Sequence, residues 1–157
     1  MSKAGLVVAL THGSNLPAFP DQETALRELF RSRDDGLDYL RDLAASSRRF
    51  GATLTPESLK DLELWYFDLV NEERFDADSE DRRRLNSAVA AYLGAVLVRH
   101  AEYQWIVQEF AFVRGRYEIG VRRRLTSVML TSGWDLTAQP NNMKRQSLFR
   151  KYKTWST

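Results

Sequence analysis

His12 and His100 are the only side chains in this 157-residue sequence whose ordinary titration falls near neutral pH. They lie in distant segments without metal-ligand spacing, so a shared site would need carboxylates brought to them by the fold. Carboxylates are plentiful in one stretch: Glu72, Glu73, Asp76, Asp78, Glu80 and Asp81. A hard cation favours such oxygens. The order here lacks the Gly and the distal bidentate Glu of an EF-hand loop, and a helix N-terminus accounts for Glu80 and Asp81. Glu72, Glu73, Asp76 and Asp78 therefore read as a solvated acidic surface, a candidate for binding another protein. Glu109 and Glu118 fall in two alternating segments, where an acid beside Arg is either a site or a structural ion pair. Cys is absent, which excludes a disulfide scaffold, a thiolate zinc site, a thiol nucleophile and an Fe–S cluster. There is no Gly-x-Ser-x-Gly, no Walker loop and no Gly-x-Gly-x-x-Gly, and the 8 Gly are scattered. No catalytic residue, metal or cofactor is expected. The sequence reads as a non-enzymatic protein, with a small metal-dependent enzyme as a remote alternative.

Charge supplies a second line. The net charge of +2 hides a polarity along the chain. Residues 1–112 hold 13 basic and 19 acidic side chains, a net −6, whereas residues 113–157 hold 10 basic and 2 acidic, a net +8. Such polarity is an interaction signal unless the two parts neutralise one another in the fold. Arg114, Arg116, Arg122, Arg123 and Arg124 flank a predicted hairpin. Lys144, Arg145, Arg150, Lys151 and Lys153 follow among Tyr152 and Trp155. Cations interleaved with aromatics can neutralise phosphates and stack on bases, so nucleic-acid binding is the alternative function. The same aromatics share helical spacing with Leu148 and Phe149, which is equally the pattern of a core stripe.

The elements that must position these residues are mostly helical. Leu6–Leu10 is a short apolar run with β-branched Val7 and Val8, which fits a strand or an extended arm, and residues 1–20 fit an arm, an edge strand or a poorly ordered start. Pro17 and Pro20 forbid regular structure beyond it. Asp21 is a helix N-cap ahead of Leu26, Leu29 and Phe30; Asp34-Asp35-Gly36 interrupts or recaps, and Leu37, Leu40, Leu43 and Ala44 carry a second stripe to about Arg49, either a second helix or one long helix bent at Gly36. Thr55-Pro56-Glu57 opens the next helix, with Leu59, Leu62, Trp65, Tyr66, Leu69 and Val70 at helical spacing. Asp78 or Ser79 caps a long helix whose Leu85, Val89, Tyr92, Leu93, Val96 and Leu97 share one face. Its small residues, Gly94 included, predict close packing and a central place. His100 closes it, where a cation suits the negative end of the helix dipole. After His100 the apolar period changes from helical to alternating. Residues 105–112 and 117–122 around Arg114-Gly115-Arg116 predict an antiparallel hairpin. Leu125–Leu130 fits a helical turn or a further strand. Pro140-Asn141-Asn142 leads into a basic last helix. The sum is one α+β domain over 1–157: four to five helices on a small antiparallel sheet of two to four strands, a helical N-terminal part, then a hairpin and a basic C-terminal helix.

Two resemblances add to this. Leu6-Val7-Val8-Ala9-Leu10-Thr11-His12-Gly13-Ser14 resembles the opening strand and His-Gly-Ser turn of the small metallochelatases, where the His meets the metal. The likeness ends there, because residues 21–100 lack the repeated strand–helix units of those enzymes. Ala88-Val89-Ala90-Ala91-Tyr92-Leu93-Gly94-Ala95-Val96-Leu97, then Trp105, then Tyr117-Glu118-Ile119-Gly120-Val121 resemble uncharacterised bacterial α+β families, as does the closing Gln146-Ser147-Leu148-Phe149-Arg150-Lys151-Tyr152. Ala95 stands where many of these carry Glu. The resemblance implies an immunity or accessory protein that binds another protein. The apolar run near the start is too short for a signal-peptide core, and no stretch reaches the ~18 residues of a membrane span. A cytoplasmic protein with no membrane partner is expected.

Overall fold

The computed structural model describes residues 2–72, 75–138 and 146–157. Among them are five α-helices: α1 (Lys3–Ser14), α2 (Gln22–Ala44), α3 (Ser58–Val70), α4 (Glu80–His100) and α5 (Ser147–Ser156). A three-stranded antiparallel sheet, β1 (Gln104–Glu109), β2 (Tyr117–Arg123) and β3 (Thr126–Met129), lies between α4 and α5 in the chain and has the order β1-β2-β3. This is the expected α+β class, and residues 125–130 resolve as a strand with its flanks.

The first segment corrects the sequence reading. Leu6–Leu10 is neither a strand nor an extended arm but the middle of α1. A five-residue apolar run carries no decisive period, and local capping decides it. The Ser2 hydroxyl accepts from the Gly5 N–H at 3.0 Å, while Ala4, Leu6, Ala9 and Leu10 are good helix formers that outweigh two valines. The edge-strand idea survives only at Ala18, which bridges Arg116 antiparallel to β2.

The remaining helix signals act as their chemistry dictates. Asp21 caps α2 by accepting from the Thr24 N–H at 2.7 Å, and that bond holds its carboxyl below the usual carboxylate range. The helix then runs unbroken through Gly36. The Thr55 hydroxyl accepts from Ser58 N–H at 3.3 Å, and α3 proper begins one turn later than Thr55 suggested. Ser79 caps α4, accepting from Arg82 N–H at 3.1 Å.

Helix α4 is central, with Leu85, Val89, Tyr92, Leu93, Val96 and Leu97 all buried. Gly94 has the packing reason its position implied. A Cβ there would come within 2.7 Å of the Trp105 ring and 2.6 Å of Leu130 Cδ1, so only Gly lets β1 and the chain after β3 close on the helix. The larger core joins α3, α4 and α5 to Val121 and Val128 of the sheet. A smaller cluster of Ala25, Leu29, Val107, Tyr117 and Ile119 seals α2 onto the sheet. Each buried Leu, Ile or Val among them contributes about 1.5–3 kcal/mol.

The hairpin register pairs Trp105 with Val121, Val107 with Ile119 and Glu109 with Tyr117. With a period of two, these face the helices, while Gln108, Glu118 and Arg122 lie on the opposite face.

Candidate functional site

The acidic loop keeps its carboxylates outward. Asp76 and Asp78 are exposed, and their backbones build the start of α4: Asp76 O accepts from the Ser79 hydroxyl at 2.7 Å and Asp78 O from Arg83 at 2.8 Å. Glu72 is exposed as well, and Glu73 lies outside the described residues.

The basic candidates divide. Arg123 serves the end of α5: it donates to the backbone oxygens of Ala101 (3.1 Å), Trp155 (2.9 Å), Ser156 (3.3 Å) and Thr157 (2.9 Å). It thereby satisfies the orphan carbonyls at the end of α5. Arg116 donates to Leu16 O at 2.6 Å. Arg122 reaches Ser127 (3.0 Å) and Gln108 (3.1 Å), and the Gln108 amide donates to Glu118 at 3.5 Å. Buried Glu118 is thus linked to Arg122 through an amide, whereas Glu109 accepts from Gly115 N–H at 2.7 Å and holds the hairpin turn. Arg114 and Arg124 are exposed. On α5, Lys151 sits 5.6 Å over Trp134 and Lys153 5.8 Å over Phe149, and Arg150 points outward. Leu148 is fully buried, with Phe149, Tyr152 and Trp155 packed on the core, so this aromatic stripe is a core stripe. Lys144, Arg145 and the Pro140-Asn141-Asn142 cap lie outside the described residues.

His12 sits in the last turn of α1, its ring 5.4 Å from that of Phe110. The chelatase likeness places a strand before this His; the segment is a helix, so that likeness carries no site. The His100 ring meets Leu54 O at 2.9 Å. Among the described residues, no group of three His, Asp or Glu could hold a metal ion.

Sequence reasoning missed the polar cluster that knots the fold together. Arg82 is 4% exposed. It donates to Tyr66 Oη at 3.1 Å, Phe75 O at 3.2 Å, Asp135 Oδ1 at 2.8 Å and the Thr137 hydroxyl. Tyr66 in turn donates to Asn86 at 2.7 Å. Burial pushes the Tyr66 hydroxyl up to about 12, against the pull of Arg82. Burial also pulls the Asp135 carboxyl upward, but hydrogen bonds from Thr137 and Arg82 outweigh it and hold it at about 2. Burial opposes the Arg82 charge too, yet Asp135 and Tyr66 leave its pKa raised. The signal was present: Arg82 precedes Leu85 and Val89 by three and seven residues, on the core stripe of α4. Glu63 falls likewise between Leu59 and Tyr66. It is 3% exposed and accepts from Leu148 N–H at 3.2 Å and from Gln146 N–H, so a carboxylate from α3 caps α5. Both groups are spent on structure.

Two surfaces stand out among the described residues. Leu6, Val7, Val8 and Leu10 of α1 are 42%, 60%, 68% and 41% exposed, and Phe112 in the nearby hairpin loop is 45% exposed. Helix α1 is held at its C-terminal end, where a Cβ on Gly13 would come within 2.5 Å of Val113 Cγ2 and 2.7 Å of the Phe110 ring. The second surface is a cleft of about 410 Å³ between α2, α4 and the sheet, lined in part by Leu29, Arg33, Trp105, Ile119 and Leu130.

This is an α+β protein in which a helical layer covers one face of a three-stranded sheet, with polar knots between helices and an apolar N-terminal helix left outside. Residues 18–156 match the profile of the uncharacterised YwmA family, and the chain belongs to that family. It is 26% identical over 117 residues to the uncharacterized protein YwmA of Bacillus subtilis (strain 168), which covers 74% of each chain. No solved structure matches it. The family match fits the resemblance to uncharacterised bacterial proteins, and it begins after α1. Among the described residues, no helix is long and apolar enough to cross a membrane.

Proposed function

We infer that the protein acts by binding another protein in the cytoplasm, as an immunity or accessory factor does, and turns over no substrate of its own. The observation that carries this reading is the apolar surface of α1. Four large aliphatic side chains on one helix of 12 residues stand 41–68% exposed, with Phe112 beside the anchored end. A soluble surface rarely leaves such residues contiguous without a partner. Recovering about half of the burial energy of each would supply ~1 kcal/mol per residue. Because Leu6, Val7, Val8 and Leu10 spread around the helix, the fitting partner is a groove that encloses α1. Exposed Arg114, next to Val113 in the hairpin turn that meets α1, supplies steering charge at this contact. Nucleic-acid binding has less support, since Arg123 and the α5 aromatics are engaged within the fold.

The test is capture from host lysate with wild type and the Val7→Asp/Val8→Asp variant, each with and without nuclease and high salt. One protein retained by wild type under all conditions and lost by the variant is the expected result. Equal capture by both, or capture that disappears with nuclease, overturns it.

A further inference from the structure

The cleft between α2, α4 and the sheet has a chemistry separate from the partner surface. Its floor is apolar: Leu29, Ile119 and Leu130 are 7%, 8% and 5% exposed, and Trp105 forms a wall. One cation stands in it. The Arg33 guanidinium lies 4.4 Å over the Phe30 ring and 5.0 Å over the Trp105 ring, with 19% of its side chain exposed. Contact with two rings and the ion pair with Asp34 hold the guanidinium in place in advance of any ligand. Its Nε donates to Asp34 at 2.9 Å. Among the described residues its two terminal nitrogens have no hydrogen-bond partner. The Ser32 and Ser87 hydroxyls at the cleft mouth have none either. Glu28, the acid in the lining, is drawn to Arg27 and Arg31, each at 3.5 Å.

A fixed guanidinium with free donors recognises a planar anion through paired hydrogen bonds. An apolar floor with one aromatic wall takes a flat hydrocarbon body. A volume of about 410 Å³ lies in the range of small-molecule sites. We propose that this cleft binds a small aromatic monocarboxylate, its ring against Trp105 and Leu29, its carboxylate on Arg33, and its edge facing the two serine hydroxyls. The site does not depend on α1 or on a protein partner.

The probe is 2-naphthoate, with uncharged 2-naphthamide as its match, titrated into the full-length protein and followed by amide and indole N–H chemical shifts. Saturable shifts at Trp105, Leu130 and Thr131 are expected, with naphthoate about tenfold or more tighter than naphthamide. Arg33→Gln, with its native fold checked by the dispersion of the amide spectrum, should equalise the two. Ser32→Trp should close the mouth and remove both. The proposal is overturned by no saturation up to the solubility limit, by shifts centred elsewhere, or by equal affinity of acid and amide in wild type. Retained discrimination in Arg33→Gln overturns it as well.

Discussion

Asp135→Asn separates charge from shape in the polar knot around Arg82. The amide oxygen still accepts hydrogen bonds, so the main loss is the negative charge beside a guanidinium that is 4% exposed. The carboxyl stands at about 2 rather than its ordinary 3.8, a difference equivalent to about 2 kcal/mol at neutral pH. Its side chain is 35% exposed, and screening by water lowers the expected loss to ~1–2 kcal/mol. For a chain of this size that is a fall in Tm of roughly 2–8 °C. Asp68→Asn is the control: it breaks an ion pair with Arg49 whose side chains are 50% and 67% exposed, and should cost ~0.5 kcal/mol or less. Because the Asp135 pKa is lowered by folding, its contribution is complete above about pH 4 and is lost as pH falls toward 2. Urea unfolding of wild type and Asp135→Asn across that range should show the gap between them closing. A gap that stays constant with pH, or a neutral-pH loss no larger than that of Asp68→Asn, would refute the reasoning.

The other cases probe packing and caps. Gly94→Ala should cost about 1–3 kcal/mol through the clash with Trp105 and Leu130, despite a gain of about 1 kcal/mol in helix propensity; the urea midpoint reads it, and an unchanged or higher midpoint contradicts it. Glu63→Gln should loosen α5 selectively, with faster amide exchange at residues 148–152 and none at the centre of α4. At alkaline pH the sign reverses. The Tyr66 pKa is raised to about 12, so its contribution is present below about pH 10 and lost as pH rises toward 12. Tyr66→Phe should remove that alkaline loss while costing about 1–2 kcal/mol at neutral pH, because Asn86 and Arg82 lose a partner.

The helices with strong local chemistry were legible residue by residue. Asp21 and Ser79 cap where they stand, since a side-chain oxygen reaches the third N–H by geometry that no distant contact alters. The alternation around Gly115 set the hairpin, and the crowding of small residues marked α4 as central and Gly94 as a contact. Leu6–Leu10 is helical against its strand-like composition: a short apolar run has no period of its own, and the Ser2 cap that favours the helix is a single hydrogen bond. The functional surfaces were less legible. The acidic loop and the basic tail stand out by composition, yet Arg123 is absorbed by four backbone oxygens and the α5 aromatics by the core.

What the sequence by itself determined is the helices after Pro20, the hairpin and their buried faces, because capping, period and turn chemistry act over a few residues. Only the tertiary structure decided which polar groups are spent and which remain. Arg82 finds Asp135 across 53 positions, and Glu63 finds Leu148 across 85. The cleft beside Arg33 exists only where α2, α4 and the sheet meet. Pairings at such separations follow from how faces pack, and no local pattern encodes them.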